Sequence, residues 1–276
     1  MGEEQLTEKR KRGKLIVVCS AKGGIGKTLL TVNLSIAMFK KNLSLALVDS
    51  DLQFGDISLM MDLHPTLTIK DVIEEIGSVN PDSVITYLTR HSSGVKVLVA
   101  PDRPEYAELI DASHMGKIVD LLLYENDYVM IDTGVGLTNI TLELIEQADQ
   151  VIIVSNLEMT TLKNTKLMLE TLDQIGLREK VKLVINQVKN DHVIKPEEAI
   201  KMLGAESLSL IPHNAKVATQ SLNLGEPFVT CHSKSDLSKA VFKLAEELIS
   251  EQILYKHKLK KTSFFQRLLG KESKSI

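Results

Sequence analysis

Residues 15–39 read Leu15-Ile16-Val17-Val18-Cys19-Ser20-Ala21-Lys22-Gly23-Gly24-Ile25-Gly26-Lys27-Thr28, followed by Leu29 to Phe39 with apolar residues at helical spacing. An apolar run rich in β-branched residues, a glycine turn and a helix form the context in which such a loop binds phosphate. Gly23, Gly24 and Gly26 let the backbone turn tightly, so that successive N–H groups and a helix N-terminus face an anion. Lys27 is then expected at the β and γ phosphates and Thr28 at Mg²⁺, making the stretch from Lys22 through Ile25 to Leu29 the expected nucleotide-binding segment. Lys22 has a separate logic. Placed just before the glycines, it extends toward a facing subunit more readily than it folds back on its own triphosphate; otherwise it is an ordinary solvated lysine.

The run Lys22-Gly23-Gly24-Ile25-Gly26-Lys27-Thr28 resembles the deviant Walker A motif of the MinD/ParA ATPases. The resemblance implies a nucleotide-sandwich dimer in which Lys22 contacts phosphate across the interface, with ATP and Mg²⁺ as cofactors.

Other short apolar runs, Leu45–Val48, Val97–Ala100, Tyr128–Ile131, Val151–Val154, Lys182–Ile185 and Leu208–Ile211, alternate with helical patterns such as Leu162 to Ile175 and Leu237 to Ile253. That rhythm predicts an α/β fold with a doubly wound, mostly parallel sheet flanked by helices.

Asp49 and Asp51 end the second strand at its carboxyl end, where open α/β sheets bind ligands. Two carboxylates one residue apart suggest metal and water chemistry, with helix capping as the plainer role. The resemblance implies that Asp49 helps hold the Mg²⁺ shell and Asp51 orients or deprotonates the attacking water, so that Lys22 and Asp51 are the expected catalytic residues. Tyr128-Val129-Met130-Ile131-Asp132 followed by Thr133-Gly134-Val135-Gly136 looks like Walker B and a switch loop, with Asp132 supporting Mg²⁺ through water. Many relatives carry proline or alanine in that turn, where this chain has Gly134 and Val135. Asn186 ends a strand with an amide able to give and accept hydrogen bonds at a purine edge, and by resemblance contacts adenine. Pro212 either packs on the base, as in the family's adenine-flanking segment, or merely ends its strand.

The 276 residues, 43% hydrophobic and 25% charged, suffice for one sizeable core. A formal net charge of −3 provides no global attraction to nucleic acid, so a basic patch would have to be local. Lys9-Arg10-Lys11-Arg12 reads as a solvated lead-in. Two cysteines, Cys19 and Cys231, with no Cys-x-x-Cys pair, argue against structural zinc, an iron–sulfur cluster or disulfides, and hence against a metal-cluster carrier of the same superfamily; the seven histidines show no ligand spacing. No signal-peptide core precedes Lys14, and no stretch approaches the roughly 20 apolar residues of a spanning helix. A cytoplasmic protein is expected.

From Lys256 to Ile276 the composition changes to seven basic residues (Lys256, Lys258, Lys260, Lys261, Arg267, Lys271, Lys274) against Glu272. Phe264, Phe265, Leu268 and Leu269 there fall within about 140° of arc on a helix, predicting a short interfacial amphipathic helix that folds on lipid. This segment resembles the membrane-targeting sequence of the MinD branch. Asp51-Leu52-Gln53-Phe54-Gly55-Asp56 and Ala100-Pro101-Asp102-Arg103-Pro104-Glu105 look like the CpaE/TadZ pilus-positioning branch, whose N-terminal receiver-like domain does not fit before Lys14.

The expected organisation is a basic lead-in over 1–13, an ATPase domain over 14–254 and a membrane-targeting tail over 255–276. The expected function is an ATP-dependent dimerising ATPase, attached to the inner face of the cell membrane through an anionic lipid surface. It would position a division-site, flagellar or pilus assembly, and an activating protein partner would stimulate hydrolysis that resets the dimer. A ParA-type DNA-partitioning ATPase is the alternative; the tail and the mildly acidic balance count against nucleic acid as a partner.

Overall fold

The computed structural model describes residues 12–189 and 191–250. The lead-in through Lys11 and the tail containing Phe264, Phe265, Leu268 and Leu269 lie outside them.

Eight strands form one sheet: β1 (Lys14–Ser20), β2 (Leu45–Ser50), β3 (Thr89–Arg90), β4 (Lys96–Leu98), β5 (Tyr128–Val135), β6 (Gln150–Ser155), β7 (Val181–Val188) and β8 (Ser209–Pro212). Their order is β3-β4-β2-β5-β1-β6-β7-β8, and every pairing is parallel except β3 with β4. The doubly wound parallel sheet expected from the sequence is therefore present. Its central strands are continuous apolar runs because helices cover both faces.

Alternation along β1 divides the core. Leu15, Val17 and Cys19 pack with Ile118, Val119 and Leu122 of the helix Ala112–Glu125. Ile16 and Val18 face the other way, toward Leu30, Leu34 and Met38 of α1 (Lys27–Phe39) and toward Leu237, Val241, Leu244 and Leu248 of a helix over 236–250. Cys19 is a free thiol, and burial pushes it up to about 12, as suits a small core residue rather than a nucleophile.

Several elements depart from the sequence reading; β2 and β7, for instance, run on to Ser50 and Val188. β5 runs on to Val135 instead of stopping at Ile131, because Ser20 pairs with Val135 across a register shift and the Thr133 hydroxyl donates to the Val18 carbonyl. β4 ends at Leu98: the Val99 carbonyl accepts from the Ile69 amide, which draws the chain out of the ladder. β3 is a two-residue antiparallel edge strand with no apolar run to announce it, set by the turn in which Gly94 donates to the His91 carbonyl.

The sheet order reverses at β1, which has β5 on one side and β6 on the other. The carboxyl ends of β2, β5, β1, β7 and β8 thus bring Asp49, Asp132, the glycine loop, Asn186 and Pro212 to one rim, the place where such sheets bind ligands.

Candidate nucleotide site

The glycine loop leaves β1 at Ser20 and enters α1 at Lys27. Gly24 and Gly26 hold left-handed φ of 76° and 81°, a conformation that strains any residue with a Cβ. A Cβ at Gly26 would also press to 2.7 Å on Asn186 Nδ2. That amide donates to the Ile25 carbonyl at 2.8 Å, so the end of β7 fixes the height of the loop. Asn186 sits where β7 loses register between Ile185 and Val188, with Gln187 at a φ of 58°.

Lys27 and Asp132 make a buried ion pair at 2.7 Å, with side chains 7% and 0% exposed. Asp132 Oδ2 also accepts from the Thr28 hydroxyl at 2.7 Å, and Oδ1 from the Thr31 hydroxyl at 2.9 Å. Removing one member of such a pair leaves an uncompensated buried charge, at a cost of about 3–5 kcal/mol. The pair therefore holds Lys27 firmly beside the loop.

Asp49 lies opposite Asp132 in the β2–β5 register. Burial, reinforced by the charge of Asp132, pushes its carboxyl up to about 8; amide bonds from Ile57 and Asp51 and the nearby Lys27 oppose the rise. Those amides meet Oδ2 at 3.1 Å and Oδ1 at 3.2 Å, so Asp49 also ties down the amino end of the helix Ile57–Met60. Asp49 thus satisfies backbone N–H groups of the segment that follows β2, the plainer of the two roles its position suggests, while standing opposite Asp132. Asp51, half-buried, is raised above the usual carboxylate range chiefly by burial, with Lys27 opposing. Its carboxyl faces Gly134, where a Cβ would stand 3.9 Å from Oδ1.

Lys22 does not stand free. Its ammonium donates to Thr160 Oγ1 at 2.9 Å and pairs with Glu158 at 3.3 Å; Glu158 immediately precedes the helix Met159–Gln174 of the same chain and Thr160 lies in its first turn. These side chains are half exposed, and such a surface pair contributes about 0–1 kcal/mol. The cost of withdrawing Lys22 is correspondingly small.

On the other side of the loop, Gly26, Leu29, Asn186, Pro212, Phe228 and Leu237 help line a small cleft of about 80 Å³. Apolar walls edged by the amides of Asn186, Gln187 and Asn214 suit the face and rim of a heterocyclic base. Asn186 and Pro212 are thus brought together beside Leu29, while Asp49, Asp51, Asp132, Lys27 and Thr28 gather on the phosphate side.

The residues fit a magnesium nucleotide. Two left-handed glycines open a cradle in which no heavy atom comes within 4 Å of a Cβ built at Gly24. A buried ammonium and a helix N-terminus face that cradle. Thr28, Asp132 and Asp49 supply hard oxygen donors suited to Mg²⁺. Among the described residues no group of three His, Cys, Asp or Glu side chains that could hold a metal ion occurs.

Sequence reasoning missed Thr31, Gly55 and the Glu158–Thr160 contact to Lys22. Thr31 was findable, lying one turn beyond Thr28 on the same helix face. The other two depend on loops that only the tertiary fold brings together.

A family model for the CobQ/CobB/MinD/ParA nucleotide binding domain matches residues 16–227. The septum site-determining protein MinD of Thermotoga maritima is 28% identical over 251 residues, covering 87% of this chain and 90% of that protein. Among solved structures, MinD of Pyrococcus horikoshii complexed with Mg-ADP superposes with a TM-score of 0.74 at 26% identity, over 86% of this chain and 96% of that one. The MinC:MinD cell division protein complex of Aquifex aeolicus gives 0.72 at 25%, with 86% and 96% covered.

Proposed function

From the premise that this chain belongs to the CobQ/CobB/MinD/ParA family of P-loop ATPases, we propose that it is an ATP-switched dimer that positions a cellular assembly. In this reading ATP, rather than another nucleotide, drives two protomers together, and Lys22 leaves Glu158 and Thr160 to reach phosphate on the facing protomer. The observation that carries the proposal is the weak, exposed tether of Lys22 at the rim of the loop, beside the strong, buried tether of Lys27. One lysine is committed to its own site; the other is held cheaply and can be spent on a partner.

Lys27 would move from Asp132 to phosphate, Thr28 and Asp132 would hold the metal shell, and Asp49 would support it while anchoring the Asp51 loop. Mg²⁺, when bound, neutralises charge that develops on the transferred phosphoryl group. Asp51, with its raised carboxyl facing the Gly134 turn, would orient the attacking water and take its proton as ATP becomes ADP and phosphate. Asn186 and Pro212 would receive the base. The Mg-ADP complex of the Pyrococcus horikoshii relative supports nucleotide and metal at this site, and the MinC:MinD complex of Aquifex aeolicus supports a protein partner.

For output, we infer an ATPase domain over 14–254 followed by a membrane-targeting tail over 255–276, with Phe264, Phe265, Leu268 and Leu269 entering the interface of an anionic bilayer. Two tails on one dimer would bind with avidity that a single tail lacks. Among the described residues no helix is long and apolar enough to cross a membrane. The assembly positioned is a division-site, flagellar or pilus machine.

The test uses Asp51→Ala, which should retain nucleotide binding, accumulate dimer with ATP and lose hydrolysis. Co-sedimentation of that variant with anionic liposomes should require ATP and vanish when the chain is truncated before Phe264. ATP-dependent pelleting with DNA but not with liposomes would instead establish the partitioning alternative.

A further inference from the structure

We infer that Thr31 is the positioning residue that aims Asp132 at the metal once nucleotide has bound. The inference rests on the reading of Lys27, Thr28 and Asp132 given above, and it goes beyond it by adding a residue with no contact to phosphate or metal.

Three side chains among the described residues reach the Asp132 carboxylate: Lys27 and Thr28 at Oδ2, and Thr31 at Oδ1. The first two are the groups that phosphate and Mg²⁺ take away. Thr31 is fully buried, one turn further along α1 and behind the loop, where neither ligand reaches it. When Lys27 and Thr28 leave, Thr31 is the contact that remains, and it holds one carboxylate oxygen so that the other keeps its direction. A carboxylate freed of all three would rotate about χ2 inside a buried pocket, with both oxygens short of partners.

The hydroxyl of Thr31 has one proton and two acceptors at 2.9 Å, Asp132 Oδ1 and the Lys27 carbonyl one turn back. A charge-assisted bond is the stronger of the two, so the proton goes to the carboxylate while it is ionised. The same seam is pinned one turn further on, where Ser35 donates to the Thr31 carbonyl and lies 3.1 Å from Met130 Sδ on β5. Helix and strand therefore keep a fixed spacing at the position of Thr31. The plainer role, a threonine that only satisfies the carbonyl of its own helix, requires no particular acceptor at Asp132.

The two roles separate in the dependence of nucleotide binding on metal. Fluorescent mant-ADP is titrated onto the full-length protein in EDTA and over a Mg²⁺ series, using wild type, Thr31→Val, Thr31→Ser and Asp132→Asn. Positioning predicts that Thr31→Val raises the Mg²⁺ concentration for half-maximal tightening by about 10-fold or more, the range typical of partners that orient metal ligands. Affinity in EDTA should stay near wild type, and Thr31→Ser should restore the metal response. A normal Mg²⁺ response in Thr31→Val, with a weakened one in Asp132→Asn, would overturn the inference and leave the reading of the site intact. A normal response in Asp132→Asn would overturn both. Should Thr31→Val fail to fold, Thr31→Ala against Thr31→Ser carries the same comparison, equal responses in the two overturning the inference.

Discussion

Gly55 offers the sharpest test of how the Asp51 loop is built. A Cβ added there would stand 2.5 Å from Asp49 Oδ2 and 2.6 Å from the Ala100 Cβ. Neither neighbour can yield easily: Ala100 has no rotamer to change, and Asp49 is buried and held by the amides of Asp51 and Ile57. The backbone of Gly55 is outside the left-handed region, so the penalty of Gly55→Ala is one of crowding rather than φ. Overpacking of this kind costs about 1–3 kcal/mol. In a chain of this size that lowers Tm by roughly 2–4 °C per kcal/mol, so a fall of about 2–12 °C is expected. The loop between Asp51 and Ile57 must shift to relieve the clash, which displaces Asp51 from the Gly134 turn. Misplacement by about 1 Å can cost as much as 100-fold in rate, so turnover should fall at least 10-fold while nucleotide affinity, set by Gly23 to Thr28, stays close to wild type. Calorimetry, a phosphate-release assay and mant-nucleotide titration report these separately. Gly77→Ala is the control, because no heavy atom lies within 4 Å of its Cβ, and it should be neutral or stabilising by about 0.4–1 kcal/mol. Equal melting temperatures and turnover in the two variants would refute the reasoning.

Two further outcomes follow from charge. The Asp49 carboxyl is raised to about 8 from an ordinary 3.8, so the folded state keeps its proton longer than the unfolded chain does. Its contribution to stability is therefore complete below about pH 4 and is lost as pH rises through 8, at up to about 1.4 kcal/mol per unit. Nucleotide-free wild type should consequently lose roughly 2 kcal/mol between pH 6 and 7.5 relative to Asp49→Asn, and identical pH profiles in thermal melts would remove Asp49 as the source. Lys22→Ala deletes an exposed ion pair and an exposed hydrogen bond, so stability should change by about 1 kcal/mol or less, yet ATP-induced dimer should disappear in an Asp51→Ala background. Dimer surviving by light scattering would count against the cross-subunit role.

The phosphate loop and the strands were legible because their signals are local: apolar runs, glycine spacing, and carboxylates at strand ends. Asp49, Asp132, Asn186 and Pro212 converge on one rim because parallel strands deliver their carboxyl ends there. What the sequence could not show is which of these groups pair with one another across the fold. Lys27 is paired with Asp132 across 105 positions, the Lys22 tether spans 136, and Gly55 presses on a side chain from the neighbouring strand end. β3 escaped notice because two polar residues at an edge carry no periodicity, and β5 outran its apolar run because its last pairs are made by Thr133 and Val135.

The flanks of the sheet have a bearing on self-association. On one side the ladder ends in a two-residue strand running against the rest; on the other it ends in a four-residue strand closed by Pro212, which has no amide hydrogen to offer. Neither flank gives another copy a long row of backbone groups to pair with. Among the described residues the sheet therefore offers a second copy little to continue, which disfavours ribbons built edge to edge and leaves side-chain surfaces as the places where copies can meet.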